Sequence, residues 1–104
     1  MKIILLDEVE RYIKRLSSAA EKNQVTRYID RQEELKFLLK RPVSAAIRSG
    51  IHELRPGPHR LLFFFHQDSV VICHAFRKKT NKVPAGEVAL AISARRDYLG
   101  REIR

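Results

Sequence analysis

The side chains best suited to chemistry in this chain are basic and are concentrated around two short segments. Arg55 and Arg60 enclose Pro56-Gly57-Pro58-His59, a strong turn signal between two runs of strand-forming residues. A second group follows a later strand-forming run and consists of Arg77, Lys78, Lys79, Thr80 and Lys82. Guanidinium, ammonium and hydroxyl groups are typical ligands of phosphate oxygens, so both segments indicate phosphate binding.

The length of the turn after Arg55 decides whether Arg55 and Arg60 can act together. A four-residue loop would pair the two arginines across neighbouring strands, whereas a three-residue loop would place them on opposite faces of the sheet. Like charges directly opposed across two strands are unfavourable by roughly 0.2–1 kcal/mol unless an anion lies between them. A four-residue loop therefore predicts an anion-binding pair.

The positive charge of the chain lies almost entirely in its second part. The formal net charge is +9, with 8 Lys/Arg against 7 Asp/Glu in residues 1–39 and 13 against 5 in residues 40–104. Such a concentrated field favours a polyanion, because binding releases condensed counterions. Nucleic acid is therefore the expected partner, with an acidic protein or plain solubility as the alternatives.

Cysteine usage and the amino terminus bear on the compartment. Cys73 is the only cysteine, so no internal disulfide and no thiolate metal site is expected. The apolar run at residues 3–6 is too short for a signal peptide or a membrane span. We expect a cytoplasmic protein that does not associate with a membrane.

The first half of the chain has the periodicity of helices. After a short strand over residues 2–6, apolar residues recur at helical spacing over residues 9–16. Asp7 is the expected N-cap of this first helix, with Glu10 as its capping-box partner. A second helix is predicted over residues 19–39, ending before the next proline. Two such helices with a short link should form an antiparallel hairpin.

The second half changes to strands. Three runs rich in strand-forming residues are joined by short turns, at residues 51–55, 60–65 and 70–76. This series predicts an antiparallel meander. A final helix is expected to open at Pro84 and to stop at Gly100.

The tight turn before Val70 also predicts the register of the last two strands. If Phe65 opposes Val70, continuous pairing places Arg60 opposite Ala75 and His74 on the opposite face from Arg60. Both faces of these strands are apolar near the middle, so both should be covered. Helices segregated from an antiparallel sheet make an α+β fold.

Two strings in the predicted sheet and several residues after it form a distinctive pattern. They are Gly50-Ile51-His52-Glu53-Leu54-Arg55-Pro56-Gly57-Pro58-His59-Arg60, His74-Ala75-Phe76-Arg77-Lys78-Lys79-Thr80, and Pro84 with Glu87 and Asp97-Tyr98. In this order and spacing they resemble the HigB-like branch of the RelE/ParE toxin superfamily. The likeness extends into the helical first half and so over nearly the whole chain.

The resemblance implies one RelE-like α+β domain over residues 1–104. Its N-terminal helical hairpin would pack on a twisted antiparallel sheet of three to five strands, followed by a C-terminal helix. It further implies the phage-derived toxin of a type II toxin–antitoxin system. Such a toxin is a metal-independent, ribosome-dependent endoribonuclease, an mRNA interferase that inhibits translation. Its partners would be mRNA, the ribosome and a HigA-like helix-turn-helix antitoxin in a heterotetramer, with no cofactor.

The resemblance also implies roles for individual residues. In the family reaction the RNA 2′-OH attacks the adjacent phosphate, which requires a base, an acid and cations for the developing charge. Arg60 corresponds by position to the phosphate-stabilising arginine of the middle strand. The other expected catalytic residues are Arg55, Lys79, Lys78, Tyr98 and His52. The expected RNA-binding residues are Arg77, Thr80, Lys82, Lys40 and Arg41. The general base stays open among His52, His74, Tyr98 and a lysine whose pKa the neighbouring cations lower. The strand position of His74 favours a packed sheet histidine.

The chain departs from the family pattern at two places. Ala45-Ala46 stand where many relatives carry lysines, and Val83 stands where a threonine is common. An alternative to the active nuclease is therefore a toxin-like module that binds an antitoxin or RNA without cleaving it. A DNA-binding protein agrees less well with the sequence, because no helix-turn-helix pattern is present and the cations cluster at strand ends.

Overall fold

A computed structural model describes residues 2–34 and 45–103, which form five strands and three helices. In chain order they are β1 (Lys2–Leu5), α1 (Asp7–Lys14), α2 (Ala19–Glu34), β2 (Ala45–Arg48), β3 (Ile51–Leu54), β4 (His59–His66), β5 (Ser69–Arg77) and α3 (Ala85–Ile103). The fold class is α+β, as predicted, and the arrangement is compatible with the RelE-like fold that the resemblance implies. The predicted end of the second helix, residues 35–39, lies outside the described residues.

The five strands form one sheet in the order β1-β5-β4-β3-β2. The last four strands make the predicted antiparallel meander, extended by β2, which was not among the runs predicted as strands. β1 lies at the edge and runs parallel to β5, so the expectation of a purely antiparallel sheet is wrong for this strand. A parallel pair needs a long crossover, and the chain between β1 and β5 supplies one.

A β-bulge changes the register between β4 and β5. Next to the Gln67-Asp68 turn the pairing follows the prediction as far as Phe63. One extra residue in β5 then shifts the partners, so Arg60 lies opposite Phe76 instead of Ala75. The predicted register is therefore wrong for this end of the hairpin. His74 consequently lies on the same face as Arg60.

Both faces of the sheet are covered, as expected. One face, here called the helix-pair face, packs against α1 and α2 through buried Val9, Leu16, Val25, Ile29, Leu54, Leu61, Phe63, Val70 and Ile72. The other, the α3 face, packs against α3 through buried Ile51, Leu62, Phe64, Val71, Cys73, Phe76 and Ala91. Because successive strand residues alternate between faces, adjacent polar residues at the end of a strand lie on opposite faces of the sheet.

The first helix begins differently from its sequence signal. Leu6, and not Asp7, occupies the N-cap position, and no side-chain cap bond forms. The Leu6 carbonyl accepts from the backbone N–H groups of Val9 and Glu10. Leu6 also packs into the α3-face cluster, and this apolar contact anchors the helix start in place of the predicted capping box. Asp7 and Glu10 instead lie in the first turn, where acidic side chains favour the helix dipole.

The last helix follows Pro84, whose carbonyl accepts from the backbone N–H groups of Glu87 and Val88. The predicted stop at Gly100 is wrong, because α3 continues to Ile103. Gly100 lacks the left-handed backbone that a glycine stop requires, and the preceding Leu99 packs on the sheet cluster. None of the helices within residues 2–34 and 45–103 combines the length and the apolar composition needed to cross a membrane.

Candidate nucleic-acid interface

The two basic segments lie side by side at one end of the sheet, here called the basic end. It consists of the turn between β3 and β4 together with the end of β5 and the residues that follow. The backbone N–H of Lys78 donates to the carbonyl of Pro58 over 2.8 Å, which extends the β4–β5 pairing into the turn. The loop that begins at Lys78 therefore starts next to the turn between Arg55 and Arg60.

The first hairpin has the register that aligns its two arginines. Leu54 pairs with Leu61, so the next aligned positions are Arg55 and Arg60, as the four-residue alternative requires. The anion between them is the chain's own Glu53, which is only 3% exposed. Its Oε1 accepts from the Nε of Arg55 at 2.9 Å, and its Oε2 lies 3.4 Å from the Nε of Arg60. The carboxylate removes the repulsion that sequence reasoning had identified.

The two arginines differ in what remains available to a ligand. The Arg60 side chain is 11% exposed, and its Nη1 donates to the carbonyls of Gly57 and His59, each over 2.8 Å. The Arg55 side chain is 58% exposed, and among the described residues it forms a hydrogen bond and ion pair only with Glu53. Arg60 therefore stabilises the turn, whereas more than half of the Arg55 side chain is exposed to solvent.

Arg77 lies on the helix-pair face, opposite His59. Its Nη2 donates to Oε1 of Glu21 in α2 over 2.6 Å, and the same oxygen lies 3.0 Å from Nε2 of the fully buried His59. Because a carboxylate only accepts, Nε2 donates, and Nδ1 of His59 accepts from the Tyr12 hydroxyl over 2.7 Å. The hydrogen bond from Arg77 lowers the pKa of Glu21, and burial raises the pKa of Tyr12.

The lysines of the basic end have a different environment from the arginines. Lys78, Lys79 and Lys82 are exposed, and none forms an ion pair with a described residue. The Thr80 hydroxyl donates to the Lys82 carbonyl over 2.7 Å and so shapes the loop. These ammonium groups can bind an anion from solution without first breaking an ion pair to a described residue of the protein.

His74 is the second histidine near the basic end and lies on the α3 face. Its Nε2 is 2.7 Å from Oε1 of Glu87 in α3, and its Nδ1 is 3.2 Å from Oε2 of Glu8 in α1. Its ring stacks on Phe76 with centroids 5.9 Å apart. This packed, carboxylate-bound position agrees with the interpretation as a sheet histidine. Sequence reasoning missed Glu8 and Glu87 as its partners, because neither is close in sequence and the bulge sets the face.

Two of the predicted catalytic residues lie away from the basic end. The Tyr98 ring packs against Phe64 and His66, at centroid distances of 6.0 Å and 6.1 Å, towards the other end of β4. Phe64 lies four residue steps along β4 from Arg60, a span of roughly 13 Å. Tyr98 instead lines a cavity of about 520 Å³ between α1 and α3.

His52 lies on the helix-pair face, opposite to the Glu53 layer. Its ring stacks on Phe63 with centroids 5.2 Å apart, and burial lowers its pKa. Lys40 and Arg41 lie outside the described residues. Among residues 2–34 and 45–103, no group of three or more His, Cys, Asp or Glu side chains is arranged so that it could hold a metal ion.

Comparison with known proteins identifies one family. The family model described as "Phage derived protein Gp49-like (DUF891)" matches residues 11–96. The matched span includes the second half of α1, all of α2, the whole β3–β5 meander and the basic end. No curated protein matches the chain.

Proposed function

Because the chain belongs to the phage-derived Gp49-like family, a family of RelE/ParE-like toxins, we propose that it is a toxin that cleaves mRNA. In this proposal it acts in the cytoplasm as a metal-independent, ribosome-dependent endoribonuclease of the HigB type, one half of a type II toxin–antitoxin pair. The observation that carries the proposal is the basic end, where exposed lysines and Arg55 surround a turn of the sheet.

In the proposed reaction the basic end stabilises the negative charge that develops on the RNA phosphate. Attack of an RNA 2′-OH on the neighbouring phosphate builds negative charge on the phosphoryl oxygens and yields a 2′,3′-cyclic phosphate and a 5′-OH end. Ammonium and guanidinium groups held near those oxygens lower the barrier, because they are in place before the charge develops. Arg55, Lys78 and Lys79 supply such groups, and Lys82 extends the same surface along the RNA backbone.

A second candidate function is a binding module without catalysis, and one observation favours it. Both histidines near the basic end have both ring nitrogens bonded to protein groups: His59 to Tyr12 and Glu21, and His74 to Glu8 and Glu87. Neither ring offers an open nitrogen as a general base. A chain of this kind would bind RNA or an antitoxin through its cations and leave the RNA intact.

Mapping RNA ends separates the two functions. The chain would be expressed from an inducible promoter, and mRNA 5′-OH ends would be mapped across the transcriptome before and after induction. The nuclease proposal expects growth arrest and new 5′-OH ends within coding regions. Arg96→Gln should behave like the wild type, because Arg96 is exposed on α3 and its side chain hydrogen-bonds only to Ser93 among the described residues. Normal growth at high expression, with no new ends, would favour the binding module.

The proposed antitoxin is expected to use the same surface. An acidic segment that lies on the basic end would exclude RNA by competing for the lysines and Arg55. Co-expression with the product of a neighbouring helix-turn-helix reading frame should suppress the growth arrest and yield a stable complex. Failure to form a complex with such a neighbour would count against the toxin–antitoxin assignment.

A further inference from the structure

The arrangement around Glu53 assigns unequal roles to the two arginines of the first hairpin. We infer that Arg55, and not Arg60, is the direct phosphate ligand, and that Glu53 is the positioning residue that aims it. This inference rests on the proposed RNA-binding function and refines it. The ligand class is a phosphodiester of single-stranded RNA.

The argument begins with the atoms of Arg55 that are already in use. Of the three Arg55 nitrogens only Nε donates to Glu53, over 2.9 Å, and no other described residue forms a hydrogen bond or ion pair with this guanidinium. The two Nη groups are therefore left as an open pair of donors. A guanidinium held at Nε keeps its planar fork in one orientation, which suits bidentate binding of phosphate.

Arg60 is used in the opposite way. Its Nε pairs with Glu53 and its Nη1 donates to two carbonyls of the turn, so two of its three nitrogens already bind groups of the protein. Its side chain is only 11% exposed, so a phosphate has much less access to it than to Arg55, whose side chain is 58% exposed. Withdrawing it would also leave the buried Glu53 carboxylate with a single partner, which is unfavourable.

Glu53 therefore does more than balance charge. It lies on the α3 face beneath both arginines and is only 3% exposed, so an RNA phosphate has little access to its carboxylate. A carboxylate near an RNA site would normally repel the RNA. Holding Arg55 in one orientation reduces the ordering cost that a long, exposed side chain pays when it binds. The neighbouring loop from Lys78 adds non-specific attraction at the same end.

The test measures binding without cleavage, with a fluorescent single-stranded 2′-O-methyl RNA that lacks the attacking hydroxyl. Dissociation constants would be measured as a function of salt, and Tm would be measured for each variant. Arg55→Gln should weaken binding roughly tenfold, since a hydrogen bond to a charged group is lost. It should lower the salt slope by about 0.7. It should also lower Tm, but by less than Arg60→Gln does, because Glu53 keeps Arg60 as a partner and the turn keeps its hydrogen bonds from Arg60. Arg60→Gln should lower Tm by roughly 5 °C or more and change the affinity of the folded protein by less than about threefold.

The direction in which Glu53→Gln changes RNA affinity is a second test. If Glu53 only repels RNA, neutralising it tightens binding; if it positions Arg55, binding weakens despite the extra net positive charge. In the Arg55→Gln background the Glu53→Gln change should have no further effect on RNA affinity, because the two residues act through one contact. Arg55→Lys keeps the charge but loses the fork, and it should weaken binding several-fold without affecting folding.

The outcomes distinguish this inference from the proposed function. Tight RNA binding that is unchanged in Arg55→Gln and Arg55→Lys would overturn the inference and leave the toxin proposal standing. So would tighter binding in Glu53→Gln. Binding that follows Arg55 as described, without any 5′-OH ends in cells, would support the inference and reject the nuclease. A wild-type chain that does not bind the RNA would overturn both.

Discussion

The Nε2 atom of His59 lies 3.0 Å from Oε1 of Glu21, so the turn between β3 and β4 is tied to the second helix from within the protein. The same oxygen holds Arg77 at 2.6 Å, and the other ring nitrogen of His59 accepts from Tyr12. Side chains from α1, α2 and β5 thus meet around one buried imidazole of β4 beneath the basic end. These buried contacts hold in place the strand ends that carry the cations, and a binding site depends on such support for its geometry.

Removal of the Tyr12 hydroxyl should therefore destabilise the fold. Tyr12→Phe leaves Nδ1 of the buried His59 without its donor, which should lower the free energy of unfolding by about 1–3 kcal/mol. Urea unfolding followed by circular dichroism measures the loss. Tyr28→Phe is the control, since the Tyr28 hydroxyl has no hydrogen bond to a described residue. Equal stability of the two variants would show that the network contributes little.

His52 should make stability depend on pH in a defined direction. Burial lowers its pKa below the ordinary value of 6.5, so the unfolded chain binds a proton first as the pH falls. Its contribution to stability is therefore present above pH 6.5 and is lost as the pH falls towards the folded-state pKa. Tm measured at pH 7.5 and pH 5.5 should fall less in His52→Gln than in the wild type. An identical fall in both proteins would contradict this origin.

Cys73 should be chemically silent in the native protein. Burial on the α3 face raises the pKa of its thiol to about 12, and the thiolate is the reactive form. At pH 8 a chromogenic disulfide reagent should react slowly with the native chain and rapidly after guanidinium unfolding. Fast reaction of the native protein would indicate that α3 opens readily from the sheet.

Gly57 should tolerate no side chain. Its φ is +62°, and a Cβ would approach the Gln24 side chain to 2.5 Å. Gly57→Ala should cost about 1–3 kcal/mol of stability, and a second change of Gln24→Ala should restore only part, because the backbone strain persists. Gly86→Ala is the matched control: nothing lies near its Cβ, and a helical alanine is favoured by about 0.5–1 kcal/mol. Gly57→Ala as stable as the wild type would mean that the turn can rearrange.

The exposed lysines should dominate non-specific RNA affinity. Changing Lys78, Lys79 and Lys82 together to Gln should reduce the slope of log K against log salt by about 2, from three lost phosphate contacts on a single strand. Tm should stay within about 2 °C, since none of the three pairs with a described acidic residue. Filter binding over a salt series provides the slope. If the triple lysine variant had the same salt slope as Arg96→Gln, the RNA would bind to a surface other than the basic end.

Much of the fold could be predicted from local sequence patterns. The change from helical to alternating periodicity predicts α+β, and the Pro-Gly-Pro turn predicts the first hairpin. β2 was not predicted, because its four residues carry no strong strand signal. The stop at Gly100 was wrong because packing of α3 on the sheet extends the helix past a residue with poor intrinsic propensity.

The sequence by itself determined which residues carry charge and on which strands they lie, since both follow from composition and short-range periodicity. The tertiary structure alone decided what those charges contact. One bulge residue placed His74 on the face of Arg60, and chain folding brought Glu21 to Arg77 from a distant helix. Glu53 lies only two residues from Arg55, yet its bond to Arg60 depended on the hairpin register. Such contacts depend on burial and on long-range pairing, and no local pattern encodes them.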